Sequence, residues 1–135
     1  MKRYLAASLL SANLFCAYAQ DPTKPMPRAG VSVQMPVAAH AVETRAADQE
    51  DATVVAVTAE GKIFVGTSVT EASGLGVLTA ETVYVKADAR APFQKVLAVL
   101  DALRGKAVVL LAAPPASAVK GGMAWPYGIR LNVAR

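Results

Sequence analysis

The sequence is poor in the side chains that carry catalysis. Cysteine, histidine and tryptophan each occur once among 135 residues, as Cys16, His40 and Trp125. A lone cysteine closes no intramolecular disulfide, and a single histidine, distant from any serine–carboxylate arrangement, offers no base for a catalytic triad. The carboxylates are scattered rather than convergent, which argues against a metal site. We therefore expect a protein without enzymatic activity, cofactor, metal or small-molecule substrate.

Strong charge and phosphate-binding motifs are also missing. The formal net charge of +4 falls to +2 if the first nineteen residues, with Lys2 and Arg3, are removed. No basic cluster is present, so nucleic-acid binding is not expected. Gly74-Leu75-Gly76 is short and lacks the lysine and hydroxyl residue of a phosphate loop. Nucleotide binding is therefore not expected either.

Residues 1–19 have the pattern of a secretory signal peptide. Lys2-Arg3 precedes a mostly apolar run, and Ala17-Tyr18-Ala19 gives an A-x-A cleavage site. The run is shorter than the roughly 20 apolar residues that span a bilayer. Cleavage near Ala19-Gln20 would place the mature chain in the periplasm. An uncleaved run would instead anchor it in the inner membrane, facing the periplasm.

Residues 20–51 are predicted to be a flexible stem. They contain several prolines and, later, an acidic patch, and their apolar residues follow no sustained helix or strand periodicity. Within this stem, residues 30–38 alternate apolar and polar side chains, with Val31, Val33 and Met35 apolar. This extended motif has three possible fates: it pairs with the edge of a partner's sheet, it pairs with the chain's own domain, or it stays disordered.

Residues 52–113 are predicted to form the folded domain. A hairpin, a weak glycine-broken helix, a strand, a strong helix and a last strand follow one another along the chain. This order, β-β-(α)-β-α-β, predicts an α/β class protein, an α+β sandwich. We expect a small mixed sheet with about two helices on one face.

Residues 114–135 form a tail that is harder to assign. Pro114-Pro115 ends the last strand of the domain, and Ile129, Leu131 and Val133 then alternate with polar residues. This alternation suggests an edge strand. Trp125 is expected to pack against the domain rather than to form a binding surface.

Three parts of the chain, in matching order over residues 30–111, resemble the ExbD/TolR family of biopolymer-transport proteins. Residues 30–38 resemble its G-[VI]-x-V-x-[LM]-P-x-A stretch, and residues 54–65, with an E-G-K-I turn, resemble its first hairpin. Residues 83–103 resemble its [VI]-x-[VI]-[RK]-A-D signature with the proline and helix that follow. The residues that match the signature are Lys86, Asp88, Pro92, Phe93 and Asp101.

The resemblance implies a role in partner binding. Members carry a periplasmic α/β domain that tends to dimerise, work with ExbB/TolQ-like and ExbD-like proteins, and transmit proton-motive force to TonB/TolA-like partners. The stem motif is implicated in partner contact, here through Val31, Val33, Met35 and Pro36. In family members the membrane helix carries an aspartate that takes part in proton flow, whereas residues 1–19 contain no aspartate. The resemblance thus predicts the partner-binding part of an envelope transport system.

Two other functions stay open at this stage. If residues 1–19 remain uncleaved, the chain would be a single-pass subunit of an ExbB–ExbD-type proton-driven transporter. Alternatively, it would be an exported module that binds the cell wall or has a structural role.

Overall fold

The computed structural model describes residues 30–132, so the predicted signal peptide lies outside the described residues, as does Val133. Within residues 30–132, no helix combines the length and hydropathy needed to cross a membrane.

The described chain folds around one seven-stranded mixed sheet. Its spatial order is β1-β7-β6-β5-β2-β3-β4. The strands are β1 (Val42–Glu43), β2 (Thr53–Val57), β3 (Ile63–Val65), β4 (Ser68–Thr70), β5 (Thr82–Ala87), β6 (Ala107–Ala112) and β7 (Tyr127–Leu131). The predicted fold class and its mixed sheet are therefore confirmed.

The centre of the sheet is parallel and its flanks are antiparallel. β5 pairs in parallel with β2 and with β6, whereas β3 pairs antiparallel with β2. The predicted hairpin joins β2 to β3 through Gly61, whose φ of 82° is a conformation that glycine adopts without steric cost. Helix α1 (Phe93–Ala102) connects β5 to β6, as expected of a β-α-β unit.

Helix α1 begins after Pro92, which stands at its N-cap and fixes φ at a value compatible with helix entry. Val99 is fully buried, as is Leu103 at the C-cap. The helical spacing of apolar residues in the sequence predicts a buried face made of Phe93, Val96, Leu97, Leu100 and Leu103. This prediction is wrong for Phe93 and Leu97, which are 73% and 47% exposed. The side of the helix that faces the sheet runs through positions 96, 99, 100 and 103. It keeps positions 96, 100 and 103 of the prediction and includes Val99 in place of Phe93 and Leu97.

The predicted weak helix is a 3-10 helix, Ala72–Val77. Its glycines lower helix propensity by about 1 kcal/mol each relative to alanine, which favours a short, tight element. Leu75 is fully buried and packs in one cluster with Val99, Leu103 and the sheet. Both predicted helices therefore lie on the same face of the sheet.

The opposite face of the sheet is covered by residues 30–51, the described part of the predicted stem. Ala47, in a 3-10 helix at Arg45–Asp48, is buried against Tyr84, Val109 and Leu111. Met35 packs against the same cluster. Residues 30–52 thus form the second layer of the fold.

The tail contributes β7, but β7 is not an edge strand. It pairs antiparallel with β6 on one side and with the two-residue β1 on the other. The partner of its second side comes from residues 42–43, which have no strand periodicity of their own. The alternation of Ile129 and Leu131 predicted the strand without indicating this neighbour.

Gly128 in β7 marks a close approach to the neighbouring strand β6. A Cβ there would lie 2.7 Å from Cγ1 of Val109 and 3.2 Å from the carbonyl oxygen of Leu110. We expect Gly128→Ala to lower the free energy of unfolding by about 1–3 kcal/mol, since overpacking forces neighbouring atoms to shift. Urea unfolding measures this difference.

The matched control is Gly76→Ala, where an added Cβ meets nothing within 4 Å. It should leave stability within about 0.5 kcal/mol of the wild type. Equal effects of the two alanine substitutions would contradict the proposed close packing at Gly128.

Candidate functional site

The extended motif of residues 30–38 lies along the chain's own domain, one of the three fates left open by the sequence. The Gln34 N–H donates to Oδ2 of Asp88 over 3.0 Å, and the Ala89 N–H donates to the Gln34 carbonyl. Two residues later, the Pro36 carbonyl accepts from the Ala113 N–H. The motif therefore crosses the sheet from the end of β5 to the end of β6.

The side chains of the motif alternate between two environments. Val31, Val33 and Met35 are half-buried, whereas Ser32 and Gln34 are exposed. The apolar residues predicted to contact a partner thus turn their side chains towards the domain. Pro36, the fourth residue predicted to contact a partner, has an exposed side chain. Its carbonyl oxygen accepts the hydrogen bond from the Ala113 N–H.

The backbone of the motif also has two sides. In an extended chain the N–H and C=O groups of one residue point to one side, and those of its neighbours point to the other. Since Gln34 uses both groups on the domain, the backbone groups of Val33 and Met35 point away from that contact. This outward edge has the geometry at which a further strand can pair.

Asp88 is the residue that fastens the motif. It is only 6% exposed, the one buried charged side chain within residues 30–132. Besides the Gln34 N–H, its carboxylate accepts from the Arg90 N–H at 2.9 Å and from two guanidinium nitrogens of Arg90 at 3.0 and 3.2 Å. The Arg90 guanidinium and the two backbone N–H groups therefore provide hydrogen-bond donors to both oxygens of this buried carboxylate.

The same contacts keep Asp88 ionised. The Arg90 guanidinium, followed by the backbone N–H groups of Gln34 and Arg90, holds the pKa of the Asp88 carboxyl well below its ordinary range, although desolvation opposes this shift. The ion pair in turn raises the pKa of Arg90. Asp88 is therefore an anion at neutral pH, and it accepts a hydrogen bond from the Gln34 backbone.

The other residues that match the family signature do not converge on Asp88. Pro92 caps α1, Phe93 is exposed in its first turn, and Asp101 forms a surface pair with Arg104 at 2.8 Å. Lys86 is half-buried on the opposite face of the sheet from α1 and lines a cleft. Sequence reasoning missed Gln34 and Arg90, although an aspartate two residues before an arginine is a pattern that permits such a fork.

The cleft that Lys86 lines has a volume of about 690 Å³. It lies between residues 30–52 and the loop that precedes β7, over the sheet face opposite α1. Its apolar lining includes Met35, Val54, Leu111, Met123 and Trp125, and three carboxylates lie along one side: Asp48, Glu50 and Asp51.

Trp125 is held at the mouth of this cleft by a cationic neighbour. The guanidinium carbon of Arg45 lies 4.8 Å from the centre of the indole ring, within the range of a cation–π contact. Arg45 also forms an ion pair with Glu43 in β1. The side chain of Trp125 is half-buried and lines the cleft.

The part of the chain that the structure describes contains no group of three or more His, Cys, Asp or Glu side chains placed to hold a metal ion. His40 is exposed in the segment between the motif and β1. The prominent features of residues 30–132 are therefore the extended motif hydrogen-bonded to the domain and the cleft lined by Lys86.

Comparison of the chain with protein-family models, with curated proteins and with solved structures gave no match.

Proposed function

We propose that this chain is an ExbD/TolR-like periplasmic module that binds protein partners in a TonB/Tol-type envelope transport or energy-transduction system, without catalysing a reaction. Its partners would be ExbB/TolQ-like, ExbD-like or TonB/TolA-like proteins, with a second copy of the chain as a further candidate.

The contact between Gln34 and Asp88 carries this proposal. Residues 30–38 and 83–103 resemble the family separately and are distant in sequence. In the structure, Gln34 from the first region and Asp88 from the second are hydrogen-bonded to each other. The two segments that resemble the family are thus neighbours in the fold, which supports treating them as parts of one unit.

The outward edge of the motif indicates how a partner is bound. A partner strand would pair with the backbone groups of Val33 and Met35 while the apolar side chains stay against the domain. Main-chain pairing of this kind supplies affinity with little demand on side-chain identity. The periplasmic location remains part of the proposal and rests on the pattern of residues 1–19.

Val33→Pro tests the mode of binding. Proline removes the outward N–H at position 33 and therefore a donor for the partner strand. It leaves the Gln34 N–H that binds Asp88, and the extended conformation imposed on Ser32 suits a motif that is already extended. We expect about tenfold weaker recovery of a purified TonB-like or ExbD-like periplasmic domain in a pull-down, since each lost contact of about 1.4 kcal/mol costs a factor of ten.

Val33→Ala is the matched control, since it shortens the side chain and keeps the N–H. It should retain most of the binding. Unchanged recovery with Val33→Pro would refute pairing through the motif, and equal losses with both variants would assign the effect to the side chain instead.

A further inference from the structure

We propose that a cavity at the end of the sheet where β5 and β6 begin binds a phosphate monoester, with the guanidinium of Arg130 as its principal contact. This cavity shares no lining residue with the cleft that Lys86 lines. It is also separate from the outward edge of residues 30–38, so the proposal goes beyond the proposed partner-binding function and does not depend on it.

The register of the sheet brings the polar groups of this cavity together. Thr82, the first residue of β5, pairs with Ala107, which directly follows Lys106. On the other side of β6, Val109 pairs with Arg130 near the end of β7. Because β6 and β7 are antiparallel, the beginning of one and the end of the other lie at the same end of the sheet. The cavity has a volume of about 420 Å³, and its polar lining consists of Thr82, Lys106, Arg130 and Asn132.

Arg130 is the cation in this cavity that lacks a charge partner. It forms no ion pair with any carboxylate of residues 30–132. The described residues that line the cavity include no carboxylate, and Glu81, next to Thr82 in the chain, is exposed and lies outside the lining. The planar guanidinium therefore has its N–H groups available for two oxygens of a phosphate.

Lys106 contributes a second positive charge to the cavity. Its ammonium group donates to the carbonyl oxygens of Leu78 and Ala80, the latter over 3.0 Å. These neutral acceptors hold the ammonium group in place without cancelling its charge. An ammonium group has three N–H donors, so one remains beyond these two contacts. Two cationic groups suit a phosphate monoester, with its charge of about −1.5 to −2 and three acceptor oxygens, better than a singly charged carboxylate.

An adjoining cavity provides room for the group that carries the phosphate. It has a volume of about 530 Å³ and shares three lining residues with the first, including Arg130. Tyr84 and Val109 in its lining are buried in the core cluster on this face of the sheet, so they form a firm surface that is partly aromatic. The carboxylate in its lining, Glu43, is paired with Arg45. An aromatic phosphate monoester therefore fits better than inorganic phosphate.

Two-dimensional ¹H–¹⁵N NMR of the full chain tests the site. Phenyl phosphate, inorganic phosphate and benzoate are titrated separately at neutral pH. We expect saturable shifts confined to amides of residues 82–84, 106–109 and 128–132. Phenyl phosphate should bind about fivefold more tightly than inorganic phosphate, because its ring contacts the adjoining cavity. It should bind about tenfold more tightly than benzoate, which has one charge and two acceptor oxygens.

Arg130→Gln removes the guanidinium and should raise the Kd for phenyl phosphate by about tenfold. Arg130→Lys keeps the charge but loses the planar fork, and we expect an increase of about threefold. The matched control is Arg104→Gln, which removes the same charge from an exposed residue outside both cavities. It should leave the Kd within about twofold of the wild type. Since Arg104 and Arg130 are both exposed, all three variants should keep the urea midpoint of the wild type.

Phosphate monoesters occur as soluble molecules and as the headgroup of phosphatidic acid. Co-sedimentation with phosphatidylcholine vesicles, with and without phosphatidic acid, distinguishes these two sources. Sedimentation that requires phosphatidic acid and is lost with Arg130→Gln supports the site with a lipid headgroup as its ligand. Binding of phenyl phosphate without sedimentation supports the site with a soluble ligand.

Three outcomes of the NMR titrations would overturn the proposal: no saturable shifts with phenyl phosphate, shifts that lie outside the two cavities, or equal effects of Arg130→Gln and Arg104→Gln. Tighter binding of benzoate than of phenyl phosphate would also contradict it, because the site would then select a carboxylate. Val33→Pro should leave phosphate binding unchanged, so failure of this site is distinguishable from failure of pairing by the motif.

Discussion

Leu103→Ala is expected to lower the free energy of unfolding by about 3 kcal/mol, within the range of about 2–5 kcal/mol for leucine truncation in a core. Leu103 is fully buried at the end of α1, where it packs with Leu75, Val99 and the sheet. Removing its side-chain atoms loses their transfer free energy and leaves a cavity that the surrounding strands cannot close. Urea unfolding at neutral pH measures the loss as a lower midpoint with an unchanged slope.

Leu97→Ala provides the control on the same helix. Leu97 is 47% exposed, so the same chemical change should cost less than about 1 kcal/mol. Comparable losses at the two positions would mean that α1 does not rest on the sheet through its 96, 99, 100 and 103 stripe.

Asp88→Asn is expected to loosen the extended motif from the domain. The neutral amide cannot form the charge-assisted fork with Arg90, and its hydrogen bond to the Gln34 N–H is weaker. We expect amide hydrogen exchange at Gln34 and Ala89 to accelerate by about tenfold, as local opening becomes easier, while amides in β5 and β6 remain protected. Hydrogen-exchange mass spectrometry resolves the two regions.

Asp101→Asn is the control for removing a carboxylate. Asp101 is exposed and pairs with Arg104 on the surface of α1, a type of ion pair worth little in solution. Exchange at Gln34 should match the wild type in this variant. If Asp88→Asn left exchange at Gln34 unchanged, the Asp88 carboxylate would not be the group that holds the motif on the domain.

The effect of Asp88 should depend on pH with a definite sign. The folded-state pKa of Asp88 lies below its unfolded value of about 3.9, so its contribution to stability is present above the unfolded value and is lost as the pH falls towards the folded one. The difference in urea midpoint between the wild type and Asp88→Asn should therefore stay constant from about pH 7 to 5 and shrink below about pH 4. A difference that grew in acid would contradict the assignment.

Elements with strong local periodicity could be predicted from the sequence. The β-branched run of β2, the glycine turn at Gly61 and the helix after Pro92 each have a residue pattern that matches the structure. The strand order could not be read in the same way. β1 has two residues and no periodicity, and its existence depends on the hydrogen bonds that β7 offers.

The candidate site was predicted in parts. The alternation of Val31, Val33 and Met35 with polar residues predicts an extended segment. The neighbouring sequence does not show that this segment contacts the domain. That contact depends on Asp88, which is distant in sequence and whose neighbour Arg90 supplies the guanidinium fork. The cleft was not predicted, because its lining is assembled from widely separated parts of the chain.

The pairing of β1 with β7 also constrains the order in which the protein folds. Val42 faces Gly128 and Glu43 faces Tyr127, so this edge of the sheet closes a loop that contains most of the described chain. The contacts of β5, α1 and β6 are close in sequence and can form early, whereas closing a long loop is entropically costly and slow. The β1 end of the sheet is therefore completed only after the last strand is available. A chain truncated before β7 would leave the backbone edge of β6 unpaired and open to association with other molecules.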